Sequence, residues 1–191
     1  MSFVKGIFAR LSKQNDGISA IEFALLAPFL MFLYLGSIEL SFLMETDRKV
    51  TKAASTMSDL SGRFEQLDSD ALDDIHHAAR MIFLPDDVGE ARLRITSFTM
   101  VDDKPTVEWS VHCNWSARVA DTEIVDIPQS VEPSFGSTIM TEVELPVEAT
   151  FGFVFSVTKT LEDTSYSRPR ESSNIPLDPT DLSYTCPFQG A

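Results

Sequence analysis

The sequence has few of the residues on which most catalytic and metal sites depend. Its 191 residues include three histidines and two cysteines. It has no glycine-rich phosphate loop, HExxH or GxSxG motif. Basic residues are also scarce, since 15 Lys and Arg stand against 29 Asp and Glu, a formal net charge of −14. A nucleic-acid partner is disfavoured because phosphate binding requires a basic surface. We expect no cofactor, and an enzyme is the least favoured class.

The histidines do not form a metal-binding pattern. His76 and His77 are neighbours on a predicted helix, so their side chains diverge by about 100° and share no ligand face. We expect both to lie on a solvated helix surface. His112 and Cys113 are neighbours on a predicted strand and therefore face opposite sides of the sheet. No metal site is predicted.

The charge that is present is unevenly distributed along the chain. Lys5, Arg10 and Lys13 make a basic leader over residues 1–17, whereas the chain after Val101 is strongly acidic. Between them lies an apolar run over residues 18–43. At about 1.5 Å per residue, a helix of this length exceeds a hydrocarbon core of about 30 Å. The positive-inside rule predicts a single membrane pass, with a cytoplasmic N-terminus and a periplasmic C-terminal domain.

Three interpretations of the apolar run compete. A cleavable secretory signal is disfavoured because the run is too long and has Glu22 near its start. The run also fits an ordinary single-pass anchor, in which Glu22 extends to the lipid headgroups. In the third interpretation Glu22 has a function. Inserting a carboxylate at the centre of a membrane helix costs about 2.5–3.5 kcal/mol, so such a residue indicates a functional role. The cost is smaller near the membrane surface, where Glu22 is expected.

The residues around Glu22 favour the third interpretation. Residues 17–28, GISAIEFALLAP, follow a basic leader and place Glu five residues after Gly17. This segment resembles the TadE/TadG-like family, minor pilins or pseudopilins of the bacterial tight-adherence (Tad, Flp-type IV) pilus. The resemblance is strongest over residues 16–60. Longer TadG-like members carry a von Willebrand-type metal-binding domain. This chain is too short for such a domain and lacks a DxSxS motif, so it resembles the TadE side.

The resemblance implies roles for three residues. A prepilin peptidase would cut after Gly17 and leave Ile18 as the new N-terminus. Glu22 would pair with the N-terminal amine of a neighbouring subunit and so set its register, because a charge in the membrane is tolerated when it is paired. The implied partners are other Tad pilins, the inner-membrane Tad machinery, the peptidase and membrane lipid. Independently of the resemblance, Pro28 predicts a kink in the helix.

Helical periodicity continues beyond the apolar run. Apolar residues recur every three or four positions over residues 45–64, which predicts a stalk that continues the membrane helix, with a break near Gly62. A second helix is predicted over residues 69–84. Asp68 or Ser69 would cap its start, and Pro85 would stop it.

Period-two alternation begins at residue 91 and predicts an antiparallel sheet of about four strands. The first two strands, 91–101 and 106–119, flank turn residues 102–105. One face of the second strand is expected to hold Val107, Trp109, Val111, Cys113 and Trp115. Two further strands, 138–145 and 147–158, are divided at Pro146. The run over 149–157 is apolar on both faces, and Gly152 is expected to form a bulge.

These elements predict an α+β fold with an N-terminal transmembrane helix that extends into a pilin-like stalk. The extracytoplasmic domain is expected over residues 44–161, followed by an irregular tail over 162–191. In the cytosol Cys113 and Cys186 would be free thiols, whereas outside it they can form one disulfide that ties the tail to the domain. The predicted topology favours the disulfide.

The predicted function is structural: a minor pilin or pseudopilin that supports pilus assembly and surface adherence. The alternative is an unprocessed, membrane-anchored periplasmic binding or adhesion module.

Overall fold

A computed structural model describes residues 16–85, 89–125, 127–148, 158–178, 184 and 186, with side chains from residue 19 onward. It contains two α-helices, α1 (Asp16–Ser61) and α2 (Ser69–Phe83). Its strands are β1 (Arg92–Val101), β2 (Lys104–Cys113), β3 (Ser137–Val147) and β4 (Lys159–Ser167), with a 3-10 turn at Gln129–Val131. The described residues form two compact units, divided between Phe42 and Leu43. We call residues 19–42 the apolar segment, residues 43–61 the stalk, and the unit from residue 43 onward the body.

The predicted membrane helix and stalk are one continuous helix, α1, which contains Pro28. The helix ends at Ser61, beside the break predicted at Gly62. The Gly62 N–H donates to the Ser58 carbonyl at 3.1 Å, and the Gly62 carbonyl accepts from the Arg170 N–H at 2.9 Å. A Cβ at Gly62 would lie 3.1 Å from the Arg168 carbonyl oxygen, so the close approach of these two segments favours glycine.

Helix α2 begins where its capping residue predicts. The Asp68 carboxylate accepts a hydrogen bond from the Ala71 N–H at 2.9 Å, which satisfies one of the free N–H groups of the first turn. Arg80 lies in the last turn, where a cation complements the helix dipole. The helix ends at Phe83, one residue before the predicted end.

The sheet is antiparallel with the strand order β2-β1-β3-β4. Asp102 and Asp103, with φ of 50° and 60°, form a two-residue turn between β1 and β2. Lys104 and Pro105 belong to β2 rather than to the turn, so the predicted start of this strand was wrong. The predicted end at Val119 was also wrong, because the chain leaves the ladder at Asn114, where φ is +52°.

The fourth described strand follows the predicted strand 147–158 in the chain. Pro146 does not divide β3, since it pairs with Thr160 inside the β3–β4 ladder. Strand β4 covers Lys159–Ser167, so the irregular tail cannot begin at residue 162 as predicted. Edge strands have one neighbour and tolerate polar residues on both faces, and only Leu161 is buried in β4. The predictions for residues 149–157 and Gly152 lie outside the described residues.

A register shift explains another difference from the predicted faces. The pairing of β1 with β2 shifts between Ser97 and Phe98, which pair with Trp109 and Val107 respectively. One extra residue in β2 moves Val107 to the opposite face, where it packs with Phe98, Ile124 and Met140. Trp115 lies beyond the end of β2 and is also not on the predicted face.

The main core lies between the helices and one face of the sheet. The stalk contributes Val50, Ala53, Ala54 and Met57, all nearly inaccessible to solvent. Small alanines allow the helix backbone to approach the strands closely. The Thr141 hydroxyl donates to the Ala54 carbonyl at 2.8 Å, and the Ser167 hydroxyl donates to the Ser58 carbonyl at 2.6 Å. The stalk is therefore an integral part of the body.

Candidate assembly helix and its anchorage

The apolar segment presents large apolar side chains that no described part of the chain covers. Leu25, for example, is 75% exposed. The exposed large side chains of this segment are Ile21, Phe23, Leu25, Leu26, Phe29, Leu30, Met31, Phe32, Leu33, Tyr34, Leu40 and Phe42. By length and composition, α1 can cross a membrane, and none of its most apolar 18-residue stretch is buried. Residues 19–42 extend over about 36 Å as a helix, which exceeds a hydrocarbon core.

The residues predicted for processing and register lie at the start of this helix. Gly17 and Ile18 are in the first turn of α1. Glu22 lies about one turn further on, and its side chain is exposed. The helix runs through Pro28 without a break in its assignment, so the proline is accommodated within α1. The kink stays a prediction.

Two serine hydroxyl groups of the apolar segment form hydrogen bonds within the helix. The Ser37 hydroxyl donates to the Tyr34 carbonyl at 2.8 Å, and the Ser41 hydroxyl donates to the Ser37 carbonyl at 2.8 Å. Such bonds within the helix allow serine to enter an apolar environment without an unpaired hydroxyl. Glu39 differs from Glu22 because it is only 4% exposed. The two carboxylates of the predicted membrane run therefore have different environments.

The stalk is anchored to the body by polar contacts at several levels. Near its start, the Lys49 ammonium lies 3.4 Å from the Phe83 carbonyl oxygen at the end of α2. Near its end, the Asp59 carboxylate pairs with the guanidinium groups of Arg63 and Arg170. These last groups are largely exposed, so the two ion pairs contribute little to stability. The buried apolar contacts of the stalk provide most of the anchorage.

A disulfide joins the C-terminal region to the sheet. Cys113, at the end of β2, is bonded to Cys186, with 5.3 Å between their Cα atoms. Both cysteines are buried in the main core. Nearby in sequence, the Tyr184 hydroxyl donates to the Asp73 carboxylate at 2.7 Å and so contacts α2. Burial and the Asp73 carboxylate both raise the pKa of Tyr184, so this hydroxyl stays protonated. Residues 184 and 186 are thus held to both the sheet and α2.

The prediction that His76 lies on a solvated surface is wrong, because this residue is fully buried. Its neighbour His77 is exposed. The His76 Nδ1 lies 2.7 Å from the Leu72 carbonyl oxygen, which can only accept, so the proton of the neutral ring is assigned to Nδ1. The ring stacks on Tyr184 with 5.5 Å between centroids. Burial lowers the pKa of His76 to about 4, against the opposing effects of Leu72 and Asp73.

A signal for the burial of His76 was present in the sequence. His76 lies four residues after Leu72 and three before Ala79, both of which are buried on α2. This is the spacing of an apolar helix face. The ionisable character of histidine concealed a position that the periodicity assigns to the core.

The opposite face of the sheet contains an ion cluster that sequence reasoning missed. Arg94 and Glu142 are cross-strand partners on β1 and β3, and two Arg94 nitrogens each lie 2.7 Å from a Glu142 oxygen. Arg118 Nη2 also lies 2.7 Å from Glu142 Oε1. The Arg94 guanidinium stacks on Trp115 at 4.0 Å. Burial alone would raise the pKa of Glu142, but hydrogen bonds from the two arginines outweigh it and lower the pKa.

The other tryptophan lies in the main core. Trp109 is buried, as predicted, and its Nε1–H donates to the Ile175 carbonyl at 2.8 Å. Within the part of the chain that the structure describes, no group of three His, Cys, Asp or Glu side chains could hold a metal ion. Most of the exposed large apolar side chains of the described residues belong to the apolar segment.

Comparison with known proteins identifies one similarity. Residues 17–57 match the family model of TadE-like proteins, which agrees with the resemblance of the segment around Glu22. The match covers the apolar segment and most of the stalk. No match was found among curated proteins or among solved structures.

Proposed function

We propose that this chain is a TadE-like structural subunit of a Tad-type pilus system, required for pilus assembly and, through it, for surface adherence. It acts by packing α1 against the helices of other pilins or pseudopilins, in the inner membrane or in the fibre. The observation that carries the proposal is the set of exposed large apolar side chains between Ile21 and Phe42. Such a surface requires lipid or other apolar helices around it. The TadE-like match over the same helix favours pilus helices as the partners.

The body is on the periplasmic side of the inner membrane in this proposal. The basic residues of the leader favour a cytoplasmic N-terminus. The disulfide between Cys113 and Cys186 fits the same topology, since disulfides persist in the periplasm and are rare in the cytosol.

Glu22 and the new N-terminus provide register in this mechanism. Cleavage after Gly17 creates a positive amine on Ile18. Pairing that amine with Glu22 of a neighbouring subunit neutralises two charges that would otherwise be costly near the membrane. A helix shifted along its axis loses this pair, so the pair selects one register. The exposed Glu22 side chain is available for such a contact.

Processing is the first test. We expect the protein extracted from membranes of the native organism to begin at Ile18, as measured by intact mass and N-terminal sequencing. A Gly17→Leu variant should retain the leader. Finding the full leader on all of the wild-type protein would instead favour the unprocessed anchor with a periplasmic binding domain.

The second test separates assembly from membrane insertion. We expect Glu22→Ala to insert normally but to abolish piliation, measured by electron microscopy and by the pilin content of sheared material. The matched control is Glu45→Ala in the stalk, because Glu45 is exposed and makes only a 3.7 Å ion pair with Lys49. Normal piliation with Glu22→Ala would refute the register role.

A further inference from the structure

One end of the body presents apolar side chains that are not used in its own packing. Val101 is 49% exposed, Val125 is 73% exposed and Phe135 is 86% exposed. We call these three residues the tip patch. None of them belongs to α1, so the assembly helix proposed above does not account for them. Large apolar side chains that share one exposed region in water favour burial by association.

Strand register brings the three residues to the same end of the sheet. Val101 pairs with Lys104 across the β1–β2 turn. Outside β2, the Ile124 N–H donates to the Pro105 carbonyl at 2.8 Å, which places Val125 beside Lys104. Phe135 precedes Gly136, whose carbonyl accepts from the Thr99 hydroxyl, and Ser137, the partner of Thr99, so it lies at the same end of the sheet as Val101. With about 4.8 Å between adjacent strands, the patch extends over roughly 15 Å.

The stalk ends before it can cover this patch. Thr141 on β3 contacts Ala54, and Ser167 on the neighbouring strand β4 contacts Ser58. The stalk therefore runs toward its end in the direction that leads from Thr141 back to the start of β3. From Thr141 to Ser137 the strand advances about 14 Å, whereas from Ala54 to Ser61 the helix advances about 10 Å. Val101, two residues past Thr99 in β1, is further along than Ser137, and Phe135 immediately precedes Gly136 at the same end of the sheet. The patch therefore projects beyond the end of α1.

The backbone beneath Phe135 is firmly held. Gly136 has a φ of +77°, and a Cβ at this position would lie 2.1 Å from the Ser173 carbonyl oxygen. The Gly136 carbonyl accepts a hydrogen bond from the Thr99 hydroxyl at 2.9 Å. The neighbouring Ser137 N–H donates to the Ser173 carbonyl at 3.0 Å. Phe135 is thus displayed from a fixed backbone, which reduces the entropy lost when a partner binds it.

The charges around the patch are predominantly negative. Asp102, Asp103, Asp121 and Glu123 are all exposed in the adjoining turns. Two basic residues lie near them: the Lys104 ammonium is 2.7 Å from the Glu123 carboxylate, and the exposed Arg168 donates to the Glu132 carbonyl close to Phe135. The surface therefore combines apolar side chains with excess negative charge. It is complementary to a segment that carries both apolar and basic side chains. The body of a second copy is a poor match because the chain after Val101 is strongly acidic, and the basic leader lies on the opposite side of the membrane in the proposed topology.

We propose that the tip patch binds a segment of a partner protein in which apolar anchors are interspersed with Lys or Arg. The apolar anchors cover Phe135 and its neighbours, and the basic side chains pair with the aspartates of the β1–β2 turn. This inference does not depend on cleavage at Gly17 or on pairing by Glu22. It gives the body its own contact, separate from that of the apolar segment.

The test uses the full chain in nanodiscs of zwitterionic lipid, which do not attract cationic peptides. The probe is a fluorescent octapeptide of alternating Lys and Phe, and binding is followed by anisotropy at low salt. Two matched peptides replace either every Phe by Ser or every Lys by Glu. We expect saturable binding of the Lys–Phe peptide and at least about tenfold weaker binding of both matched peptides.

Variants locate the site. Phe135→Ser, and Asp102→Asn combined with Asp103→Asn, should each weaken binding about tenfold. Asn suits these two positions because it tolerates positive φ. The control pairs Met81→Ser with Asp74→Asn, which also removes one exposed apolar and one exposed acidic side chain, but on α2. Binding to the control should change less than twofold.

Four outcomes would overturn the proposal. They are no saturable binding of the Lys–Phe peptide, equal binding of the Lys–Ser peptide, equal weakening by the control, and self-association of the chain through Phe135. The substituted positions are exposed, so the fold should be retained. An unchanged denaturation midpoint of each variant establishes this before binding is measured.

Discussion

The two halves of α1 belong to one helix and are both rich in apolar residues, yet they use those residues differently. In the apolar segment Met31 is 64% exposed, whereas in the stalk Met57 is fully buried. The stalk has small residues, Ala53 and Ala54, where strands approach it. The apolar segment has long and aromatic side chains around its circumference. Periodicity distinguishes the two halves. The stalk has a single apolar face, whereas the apolar segment has apolar side chains on all sides of the helix.

The exposure of each half of α1 predicts what stabilises it. The stalk is stabilised by the chain's own sheet, so substitutions there should lower the free energy of unfolding of the body. In the proposed function, the apolar segment is stabilised by lipid or by other subunits. Substitutions there should alter insertion or assembly and leave the body unaffected. Variants that lower the stability of the body by decreasing amounts test this separation.

Loss of the disulfide should have the largest effect. Cys113 and Cys186 are separated by 73 residues, and cross-linking a loop of this size stabilises a fold by about 4 kcal/mol in the chain-entropy model. We expect the double variant Cys113→Ala, Cys186→Ala to lower the free energy of unfolding of the body by roughly this amount. The measurement is chemical denaturation in detergent, followed by tryptophan fluorescence.

The same experiment checks the separation between the two halves. Reductant should lower the denaturation midpoint of the wild-type chain and have no effect on the double variant. Membrane insertion should be equal for both. Alkylation of two thiols in wild-type protein purified without reductant would show that the disulfide is absent, and the predicted effect would then fail.

A matched pair of methionines tests the separation directly. Met57→Ala leaves a cavity between the stalk and the sheet, and we expect it to lower the free energy of unfolding of the body by about 3 kcal/mol. Met31→Ala removes the same atoms from an exposed position, and its effect should stay within about 0.5 kcal/mol. Both are measured by denaturation of the body in detergent. Equal destabilisation by the two variants would mean that the halves of α1 are not energetically distinct.

The parts of the fold that sequence could predict are those where burial produces a period. Both helices, the four-stranded antiparallel sheet and the first hairpin follow from spacing and turn chemistry. Strand β4 was not predicted because it is a polar edge strand with one buried residue, Leu161, and so carries little alternation. Val107 was assigned to the wrong face because a bulge reverses the alternation without changing the residue types.

Some residues of the candidate site could likewise be predicted from the sequence, and others could not. The segment around Glu22 could be identified from sequence because a carboxylate in an apolar run is conspicuous. The cluster of Arg94, Arg118 and Glu142 could not, since it depends on the pairing of β1 with β3 and on the return of the chain after Asn114. The tip patch likewise requires the strand order. Such contacts depend on which strands pair, and the spacing of residues along the sequence does not indicate them.

The smallest predicted effect concerns His76 and appears only in acid. The pKa of His76 is about 4 in the folded chain and 6.5 in the unfolded chain, so below pH 6.5 the unfolded state binds a proton that the folded state does not. Stability is therefore fully present above pH 6.5 and declines as the pH falls toward 4. The decline between pH 7.5 and pH 5 should be about 2 kcal/mol.

Adjacent histidines provide the control for this effect. His76→Gln should remove this decline, because glutamine does not titrate, whereas His77→Gln should leave it intact, because His77 is exposed. Denaturation midpoints of the three proteins between pH 7.5 and pH 5 give the comparison. This range stays above the lowered pKa of Glu142, whose contribution is lost only in stronger acid. Piliation at neutral pH should be unchanged in both variants, since His76 lies in the body core and not on the apolar segment. A decline that persists in His76→Gln would place its source elsewhere in the body.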